Sequence, residues 1–184
     1  MKNPNMKNLN IKLLSDNATT PTRAYGVSAG LDIYAAETVV IEPQEKILLA
    51  TDIAVDIPEG YVGLLTSRSG VSSMTHLVVE TSKIDAGFQG HMKINVKNDY
   101  ISLEQYDGAI MDVEDGGLIY PVYGIDEETK YHSGDIDTPV YKINKGDKIA
   151  QLVIVPIVTP EVNVVEEFDS ESERGTNGFG SSGY

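Results

Sequence analysis

The end of the chain, RGTNGFGSSGY (residues 174–184), holds residue types that suit the binding of phosphate groups. Four glycines let backbone N–H groups approach an anion, hydroxyl side chains add donors, and Arg174 adds a cation. Phe179 adds a flat apolar face suited to stacking on a base. No lysine follows the glycines in the Walker pattern, so the stretch does not indicate a P-loop NTPase. A flexible tail has the same composition, and this stretch alone leaves both interpretations open.

A second candidate anion site is TSRSG (residues 66–70). In the functional interpretation, Ser69 and the backbone N–H of Gly70 face an anion. In the alternative interpretation, the stretch is a turn that opens a short helix, with Ser67 or Ser69 as its N-cap. The stretch taken alone favours the alternative.

Two carboxylates stand beside turns or strand ends. Asp85 lies in KIDAGFQG (residues 83–90) just before an Ala-Gly pair, which is typical of a turn former. The same position suits a base held near a phosphate. Asp32 lies in a comparable place in AGLDIYA (residues 29–35).

Gln151 is a polar residue inside an apolar run. The stretch GDKIAQL (residues 146–152) places a turn ahead of that run. A polar side chain in such a position requires a buried partner or a ligand.

These stretches occur together in a recognisable order. AGLDIYA, SRSG, IDAGF, GDKIAQL and RG…GFGSSG resemble the five motifs of the trimeric dUTPase family, in the same order. The resemblance covers the chain apart from the first few residues and residues 99–137, whose position resembles an insert of the staphylococcal phage members. It implies an all-β fold of the jelly-roll or β-clip type, with arm exchange in a homotrimer and three active sites at subunit interfaces.

The resemblance also implies a reaction and roles for residues. dUTP would be hydrolysed to dUMP and pyrophosphate, with Asp85 as the general base that deprotonates the water attacking the α-phosphorus. Arg68 would hold Asp85 in place, and Asp32 would hold a Mg²⁺ ion through water. Phosphoryl transfer needs positioning and charge neutralisation more than covalent help. The residues implied to bind phosphate oxygens are Ser69, Gly70 and Gln151, and Ser67 is implied to bind substrate.

The resemblance further implies how the nucleoside is recognised. Main-chain groups of a hairpin from Ile84 to about Asn95, which includes Lys93, would pair with uracil. The ring of Phe88 would lie under the deoxyribose and leave no room for a 2′-hydroxyl. The family usually has tyrosine at this position, so any contact of the phenolic oxygen is lost here.

The C-terminal arm, residues 169–184, would close over the nucleotide bound to a neighbouring copy and become ordered by it. Arg174 would contact the distal phosphate, and Phe179 would cover the uracil. The residues implied to wrap the triphosphate are Gly180, Ser181 and Ser182.

Residues 99–137 interrupt the β core of residues 1–168 and differ from it in composition. They hold eleven acidic residues against one lysine, which is −10 of the net −14, and five of the ten tyrosines. Acidic and tyrosine-rich surfaces suit protein recognition. The resemblance to phage members implies a pathogenicity-island repressor as a partner. A solvated loop kept for solubility remains the alternative.

Two other functions compete with dUTP hydrolysis. A dCTP deaminase shares the implied fold, but the complete arm and the IDAGF motif favour a dUTPase. A primarily regulatory protein, in which repressor binding through the insert is the main function and catalysis is secondary, belongs to a different class.

Composition narrows the chemistry. The chain has no cysteine, which excludes disulfides, thiolate nucleophiles and zinc–thiolate sites and fits a reducing cytosol. The resemblance to phage members implies that this is the cytosol of a bacterial host. The N-terminus lacks the apolar centre of a signal peptide, and no membrane partner is expected. A net charge of −14 is unlike a direct nucleic-acid binder. The negative charge of an anionic ligand would therefore be neutralised by a few local hydrogen-bond donors or by a divalent metal ion.

Strands must position these residues, because the pattern is β almost throughout. KINVK (residues 93–97) alternates polar and apolar and places Met92, Ile94 and Val96 on one face. Two more short runs bounded by Pro and Gly predict strands at residues 46–57 and 61–66.

The remaining elements are one long strand and one helix. Residues 149–158, IAQLVIVPIV, predict a strand buried on both sides, in which Pro156 needs an edge position or a bulge. Residues 69–74, SGVSSM, carry the helical pattern.

Overall fold

A computed structural model describes residues 6–100, 122–125, 140–170, 172 and 175–177 of the chain. Over these residues the structure consists of β-strands and one short helix, and the all-β prediction is confirmed. The elements are β1 (Asn10–Leu13), β2 (Leu31–Tyr34), β3 (Val39–Ile41), β4 (Lys46–Asp56), β5 (Tyr61–Ser67), α1 (Ser69–Met74), β6 (Leu77–Val79), β7 (Ser82–Ile84), β8 (Met92–Asn98), β9 (Val122–Gly124), β10 (Val140–Ile143) and β11 (Lys148–Pro156).

The strands form three sheets. One sheet has the order β1-β4-β8-β6, a second has the order β2-β11-β5-β7, and a third has the order β3-β10-β9. All pairs are antiparallel except β9 with β10, which is parallel. Consecutive strands often lie in different sheets, as expected for the jelly-roll type.

The core lies between the inner faces of these sheets. On β8 the predicted face is buried, since Met92, Ile94 and Val96 are at most 1% exposed. β4 and β11 contribute Leu49, Ile53, Ile149 and Leu152 to the same apolar cluster. The alternation of apolar and polar residues along a strand therefore determines which face packs into the core, because burial removes the apolar side chains from water.

β11 departs in part from its prediction. Ile149, Ala150 and Leu152 are buried, but the next three residues, 153–155, are only half-buried, so the strand is not buried on both sides along its whole length. β2 pairs with β11 only from Lys148 to Leu152, and the final residues therefore have one free edge. Pro156 lies at that free edge, where its missing N–H costs no ladder hydrogen bond.

The helix α1 forms at the predicted residues. The N-cap residue of α1 is Arg68, which makes no side-chain capping hydrogen bond. The expectation that Ser67 or Ser69 is the N-cap is therefore wrong. Ser67 instead donates its hydroxyl to the carbonyl oxygen of Arg68 at 3.1 Å. Within the described part of the chain no helix is long and apolar enough to cross a membrane.

β4 contains an irregularity at Asp52. Its pairing with β8 shifts register between Ala50 and Ile53, and Asp52 has φ = 52°. The backbone N–H of Asp52 donates to Nε2 of His91 at 3.0 Å, and its carboxylate accepts from the hydroxyl of Ser15. The side-chain contacts therefore hold a non-glycine residue in the left-handed region.

Part of the interrupting segment joins the fold. β9, which lies within residues 99–137, adds a parallel strand to β10 at the edge of the third sheet. Ile125 packs against the core. The rest of this segment, residues 101–121 and 126–137, lies outside the described residues.

Candidate active site

One sheet brings three of the five motifs together. β11 lies between β2 and β5, so Gln151 is opposite Asp32 on one side and Thr66 on the other. Ala150 is opposite Ser67, the last residue of β5 before SRSG turns into α1. The strand register therefore places AGLDIYA, SRSG and GDKIAQL side by side, as their joint presence in one site requires.

Asp32 is the centre of a charged network at this place. It is only 6% exposed. Nε of Arg68 donates to its Oδ1 at 2.9 Å, and Nζ of Lys148 lies 3.1 Å from its Oδ2. Arg68 also donates from Nη1 to the backbone carbonyl oxygen of Lys148 at 3.1 Å. The buried carboxylate is thus compensated by two cations, as burial of a charge demands.

The pKa of Lys148 is affected by this network. The hydrogen bond to Asp32 raises the pKa of Lys148 above its usual value, and the charges of Tyr34 and Asp32 act in the same direction. The ammonium group therefore keeps its charge at neutral pH, next to the motifs implied to bind phosphate.

Arg68 and Asp85 lie at opposite ends of β5 within one chain. Ile84, the residue before Asp85, pairs with Gly63, whereas Arg68 follows Ser67. The strand from Gly63 to Ser67 spans about 13 Å at the usual strand rise. Because β7 is antiparallel to β5, Asp85 continues away from Arg68. The expectation that Arg68 holds Asp85 is therefore not met within a single chain, and Arg68 is bound to Asp32 instead.

Gln151 has the partner that its place in an apolar run requires. Its Nε2 donates to the backbone carbonyl oxygen of Ser67 at 3.1 Å. A Cβ placed on Gly30 would lie 2.5 Å from Oε1 of Gln151 and 2.9 Å from its Cβ. The glycine of AGLDIYA therefore leaves the space in which the Gln151 side chain lies.

The start of α1 is open to solvent. Ser69 and Gly70 are exposed, and a Cβ on Gly70 would meet nothing within 4 Å. The first N–H groups of any helix lack partners within the helix. This end of α1 adjoins Arg68 and so leaves donors near the charged network.

Asp85 begins the loop of residues 85–91. Its side chain is exposed, and its backbone carbonyl oxygen accepts from the N–H of Phe88 at 3.1 Å. Gly87 has φ = 82°, which requires glycine at this turn, and its N–H donates to the carbonyl oxygen of Ile57 at 3.3 Å. Gln89 donates from Nε2 to Oδ1 of Asp56 at 2.9 Å.

The predicted hairpin from Ile84 to Asn95 is not present. β7 pairs with β5 in one sheet, and β8 pairs with β4 and β6 in another, so the loop between β7 and β8 crosses from sheet to sheet. Lys93 is exposed on β8. Asn95 donates from Nδ2 to Oε2 of Glu80, while its buried Oδ1 has no hydrogen-bond partner among the described residues.

The arm residues of the predicted site lie outside the described residues. These are Arg174, Phe179, Gly180, Ser181 and Ser182. The nearest described part is a turn in which the N–H of Gly175 donates to the carbonyl oxygen of Ser172 at 2.9 Å.

The described residues contain no cluster of three or more His, Asp or Glu side chains able to hold a metal ion by themselves. Both oxygens of Asp32 already face cations. Mg²⁺ usually keeps several waters and binds one or two carboxylates together with substrate phosphates. Asp32 fits such a set through water, provided that the phosphates supply the direct ligands.

Two residues of this site were not found from the sequence. Lys148 lies inside GDKIAQL, a motif in which the local pattern indicates only a turn and the polar Gln151. Its signal was present, since it is a cation two positions after the turn glycine Gly146. Gly30 was read as part of a motif, and only its distance to Gln151 shows what a side chain there would displace.

Comparison with known proteins gives a consistent result. The family profile of the dUTPases matches residues 16–107 and 138–183, and the gap between these ranges lies inside the predicted insert. A probable deoxyuridine 5′-triphosphate nucleotidohydrolase of Schizosaccharomyces pombe is 32% identical over 173 residues, which cover 94% of this chain and 96% of that protein.

Solved structures of phage proteins are more similar. The dUTPase of Staphylococcus bacteriophage 80alpha with dUpNHpp is 53% identical, with a TM-score of 0.80, over 97% of this chain and 99% of that one. The dUTPase of Staphylococcus aureus phage phi11, in which a species-specific insert was visualised, is 55% identical, with a TM-score of 0.75, over 89% and 99%. A mutant of the phi11 enzyme coordinates a structural Mg(II) ion. Phage dUTPases as a group are described as controlling transfer of virulence genes.

Proposed function

The chain belongs to the dUTPase family and is a dUTP diphosphatase, and we propose that it acts as a homotrimer in which Asp85 of one copy completes a site built on Arg68 of another. The family match favours hydrolysis over the dCTP deaminase that shares the fold. The proposal places the reaction in the cytosol of a bacterial host, in keeping with the staphylococcal phage relatives.

The single observation that carries this proposal is the register of β5. It separates Asp85 from Arg68 by more than the length of the strand from Gly63 to Ser67, about 13 Å. A base and the cations that hold the phosphates must converge on one substrate. A second copy of the chain can supply the base where the first cannot.

The C-terminal segment supports contact between copies. Residues 157–168 leave the end of β11 without forming a strand, and their large apolar side chains are exposed. Val158, Val162, Val164 and Phe168 are each more than 80% exposed in the single chain. Apolar residues concentrated on one extended segment are typical of a surface that another chain covers.

Within such a site, Asp85 would accept a proton from water as that water attacks the α-phosphorus. The side chain is exposed in one chain, and so it is accessible to water and to a neighbouring subunit. A positioned carboxylate of this kind accelerates proton transfer by about 10²–10⁴-fold. The electron pair of the P–O bond leaves with pyrophosphate, and dUMP retains the oxygen of the water.

The phosphates would meet the charged network of β2, β5 and β11. Ser67, Ser69, Gly70 and Gln151 would bind their oxygens. Arg68 and Lys148 would supply fixed positive charge in a chain whose net charge is −14. A bound Mg²⁺ ion, held by the phosphates and through water by Asp32, would neutralise further negative charge on the triphosphate.

Recognition of the nucleoside would rest on the loop of residues 85–91 and the first part of β8. Main-chain groups of this loop and of Lys93 would face the uracil, whereas Asn95 is already engaged, since its carbonyl oxygen accepts from the N–H of Glu80 and its Nδ2 donates to the side chain of Glu80. Hydrogen-bond matching discriminates against cytosine more strongly than shape alone does. The ring of Phe88 would lie under the deoxyribose and exclude a 2′-hydroxyl.

The arm would complete the site from a further copy. Arg174 would contact the distal phosphate, and Phe179 would stack on the base. Gly180, Ser181 and Ser182 would surround the triphosphate with backbone N–H groups and hydroxyls. Closure of this kind excludes water other than the attacking one.

The substitution Asp85→Asn tests the base. We expect pyrophosphate release from dUTP to fall by a factor on the order of 100 or more, with dUpNHpp binding retained. Asp16→Asn, a substitution of an exposed aspartate outside the motifs, serves as the control and should leave both quantities unchanged. Turnover close to wild type in Asp85→Asn would exclude Asp85 as the base.

Mixing two inactive variants tests the shared site. Asp85→Asn and Arg68→Ala chains are refolded together at equal amounts and assayed for pyrophosphate release. About a quarter of the sites should then combine an intact Asp85 from one chain with an intact Arg68 from another. Activity no higher than that of the separate variants would show that both residues act within one chain.

A second proposed function is binding of a pathogenicity-island repressor through residues 99–137. Three observations favour it: the gap in the family match, the −10 charge of this segment, and the position of β9 at a sheet edge. An acidic, tyrosine-rich surface suits the basic face of a DNA-binding protein. Hydrolysis and repressor binding would then occupy different parts of the chain.

A further inference from the structure

Phe88 and Gly90 are in close contact within the loop of residues 85–91. A Cβ built on Gly90 would lie 2.8 Å from Cζ of Phe88 and 3.0 Å from its Cε2. Carbon atoms in van der Waals contact are about 3.5–4.0 Å apart. The tip of the Phe88 ring therefore lies directly against the Gly90 backbone, in a place that any side chain on residue 90 would occupy.

The backbone conformation does not explain the glycine at position 90. Gly87, in the same loop, has φ = 82° and needs to be glycine for that reason. Gly90 has no such positive φ. What a side chain at position 90 would meet is the Phe88 ring, whose atoms are all three of the nearest neighbours.

Hydrogen bonds tie the loop to neighbouring residues on either side of the ring. The N–H of Gly87 donates to the carbonyl oxygen of Ile57, and the side chain of Gln89 donates to Asp56. The next residue, His91, accepts the N–H of Asp52. With the loop tied to neighbouring residues by one backbone and two side-chain hydrogen bonds, and with the ring 44% exposed, a methyl group at position 90 displaces the ring rather than the chain.

We propose that Gly90 is a positioning residue, which sets the depth of the Phe88 ring and thereby the space that the site leaves for the sugar of dUTP. This inference rests on the proposed placement of Phe88 under the deoxyribose. An alanine at position 90 pushes the ring outward from the loop, into the volume that the sugar needs. The binding of the nucleotide suffers, whereas Asp85, on the other side of the Gly87 turn, keeps its place.

Kinetics of Gly90→Ala test the proposal. We expect KM for dUTP to rise about 10-fold, the lower end of what a misplaced methylene costs in an apolar pocket, with kcat little changed. In a Phe88→Ala background the same substitution should leave KM unchanged, because there is no ring to displace. Gly26→Ala is the matched control, since a Cβ at Gly26 meets nothing within 4 Å.

A spectroscopic measurement follows the ring without relying on activity. The chain has three phenylalanines, so labelling with ring-¹³C phenylalanine, which adds no atom to the ring, gives three sets of ring signals, which Phe168→Leu and Phe179→Leu assign. The Phe88 signal should shift in Gly90→Ala and stay in place in Gly26→Ala. An unmoved signal, or an equal rise in KM in the Phe88→Ala background, would overturn the proposal.

The Phe88→Ala variant distinguishes an error in the role of Gly90 from an error in the proposed placement of Phe88 under the deoxyribose. If Phe88→Ala leaves both KM for dUTP and the preference for dUTP over UTP unchanged, the placement of the ring under the sugar is wrong, and the role of Gly90 in specificity fails with it. If Phe88→Ala does change them, the double substitution alone decides whether Gly90 acts through the ring.

Discussion

Lys148 places its Nζ 3.1 Å from Oδ2 of Asp32, the carboxylate oxygen that the guanidinium of Arg68 leaves free. The buried carboxylate is therefore shared between a residue of β11 and the residue that caps α1. The three motifs that meet in this sheet are held together by charge as well as by strand pairing.

This pair predicts a loss of stability at alkaline pH. The hydrogen bond to Asp32 raises the pKa of Lys148 above its ordinary value of 10.5. Since the folded-state pKa is the higher one, the contribution is complete below pH 10.5 and disappears as pH rises through the folded value. We expect Lys148→Met to lower the thermal midpoint of unfolding at neutral pH. We also expect the midpoint of this variant to fall less steeply than that of wild type as the pH rises above 10.5. Lys83→Met, at an exposed position of β7, should leave the alkaline fall of the midpoint as in wild type. An equally shallow fall in this variant would contradict the role given to the pair of Lys148 and Asp32.

The strained position in β4 gives a second prediction. Asp52 has φ = 52°, and its contacts to Ser15 and His91 hold it there. Asp52→Ala and Asp52→Gly both remove the carboxylate contact, but only alanine retains the cost of the left-handed conformation. In urea unfolding at fixed chain concentration, we expect the alanine variant to be less stable than the glycine variant by about 1 kcal/mol. At the control position Asp16, alanine should be no less stable than glycine, and the same order at both positions would refute the explanation.

The arm gives a third prediction. Removal of residues 173–184 should leave an assembled, folded protein that releases almost no pyrophosphate. Phe179→Ala should weaken dUpNHpp binding by about 1–3 kcal/mol if the ring stacks on a base, whereas Phe179→Tyr keeps the stacking face and should bind as wild type. Titration calorimetry distinguishes these variants. A truncated chain with normal turnover would refute closure by the arm.

Residues 101–136 give a fourth prediction. Their replacement by a short Gly/Ser linker removes β9, but leaves β10 paired with β3. We expect dUTP hydrolysis and the proposed trimer to survive and the proposed binding of the repressor to weaken, with a steeper loss at high salt in the wild type. Loss of turnover in an intact trimer would place the insert in the active site. If the repressor binds the linker variant as well as it binds wild type, its binding site lies on the catalytic motifs. dUTP should then compete with the repressor.

Some strands were predictable from local sequence patterns. The alternation of Met92, Ile94 and Val96 predicts β8, whereas β4 and β5 are predicted by short runs bounded by Pro and Gly. The sheet to which each strand belongs was not predictable, since pairing depends on contacts distant in sequence. For that reason the loop after Ile84 was expected to be a hairpin, although its two flanking strands lie in different sheets.

The site was predictable as a set of motifs, but not as a set of contacts. Order and joint presence identified the stretches that hold Asp32, Arg68 and Gln151. The partner of Arg68 depends on the register of β5 with β7 and β11, which local patterns do not encode. The tie between Asn95 and Glu80 likewise follows from the pairing of β6 with β8.

The register of β5 also has a consequence for when the enzyme works. Under the proposed arrangement a solitary chain holds the parts of an active site but no complete one, since Asp85 and Arg68 stand at opposite ends of the strand. Below the concentration at which chains assemble, activity then rises as about the third power of abundance rather than in proportion to it. Chains diluted below that concentration would then release little pyrophosphate although each of them is folded, and activity would return when they are concentrated again.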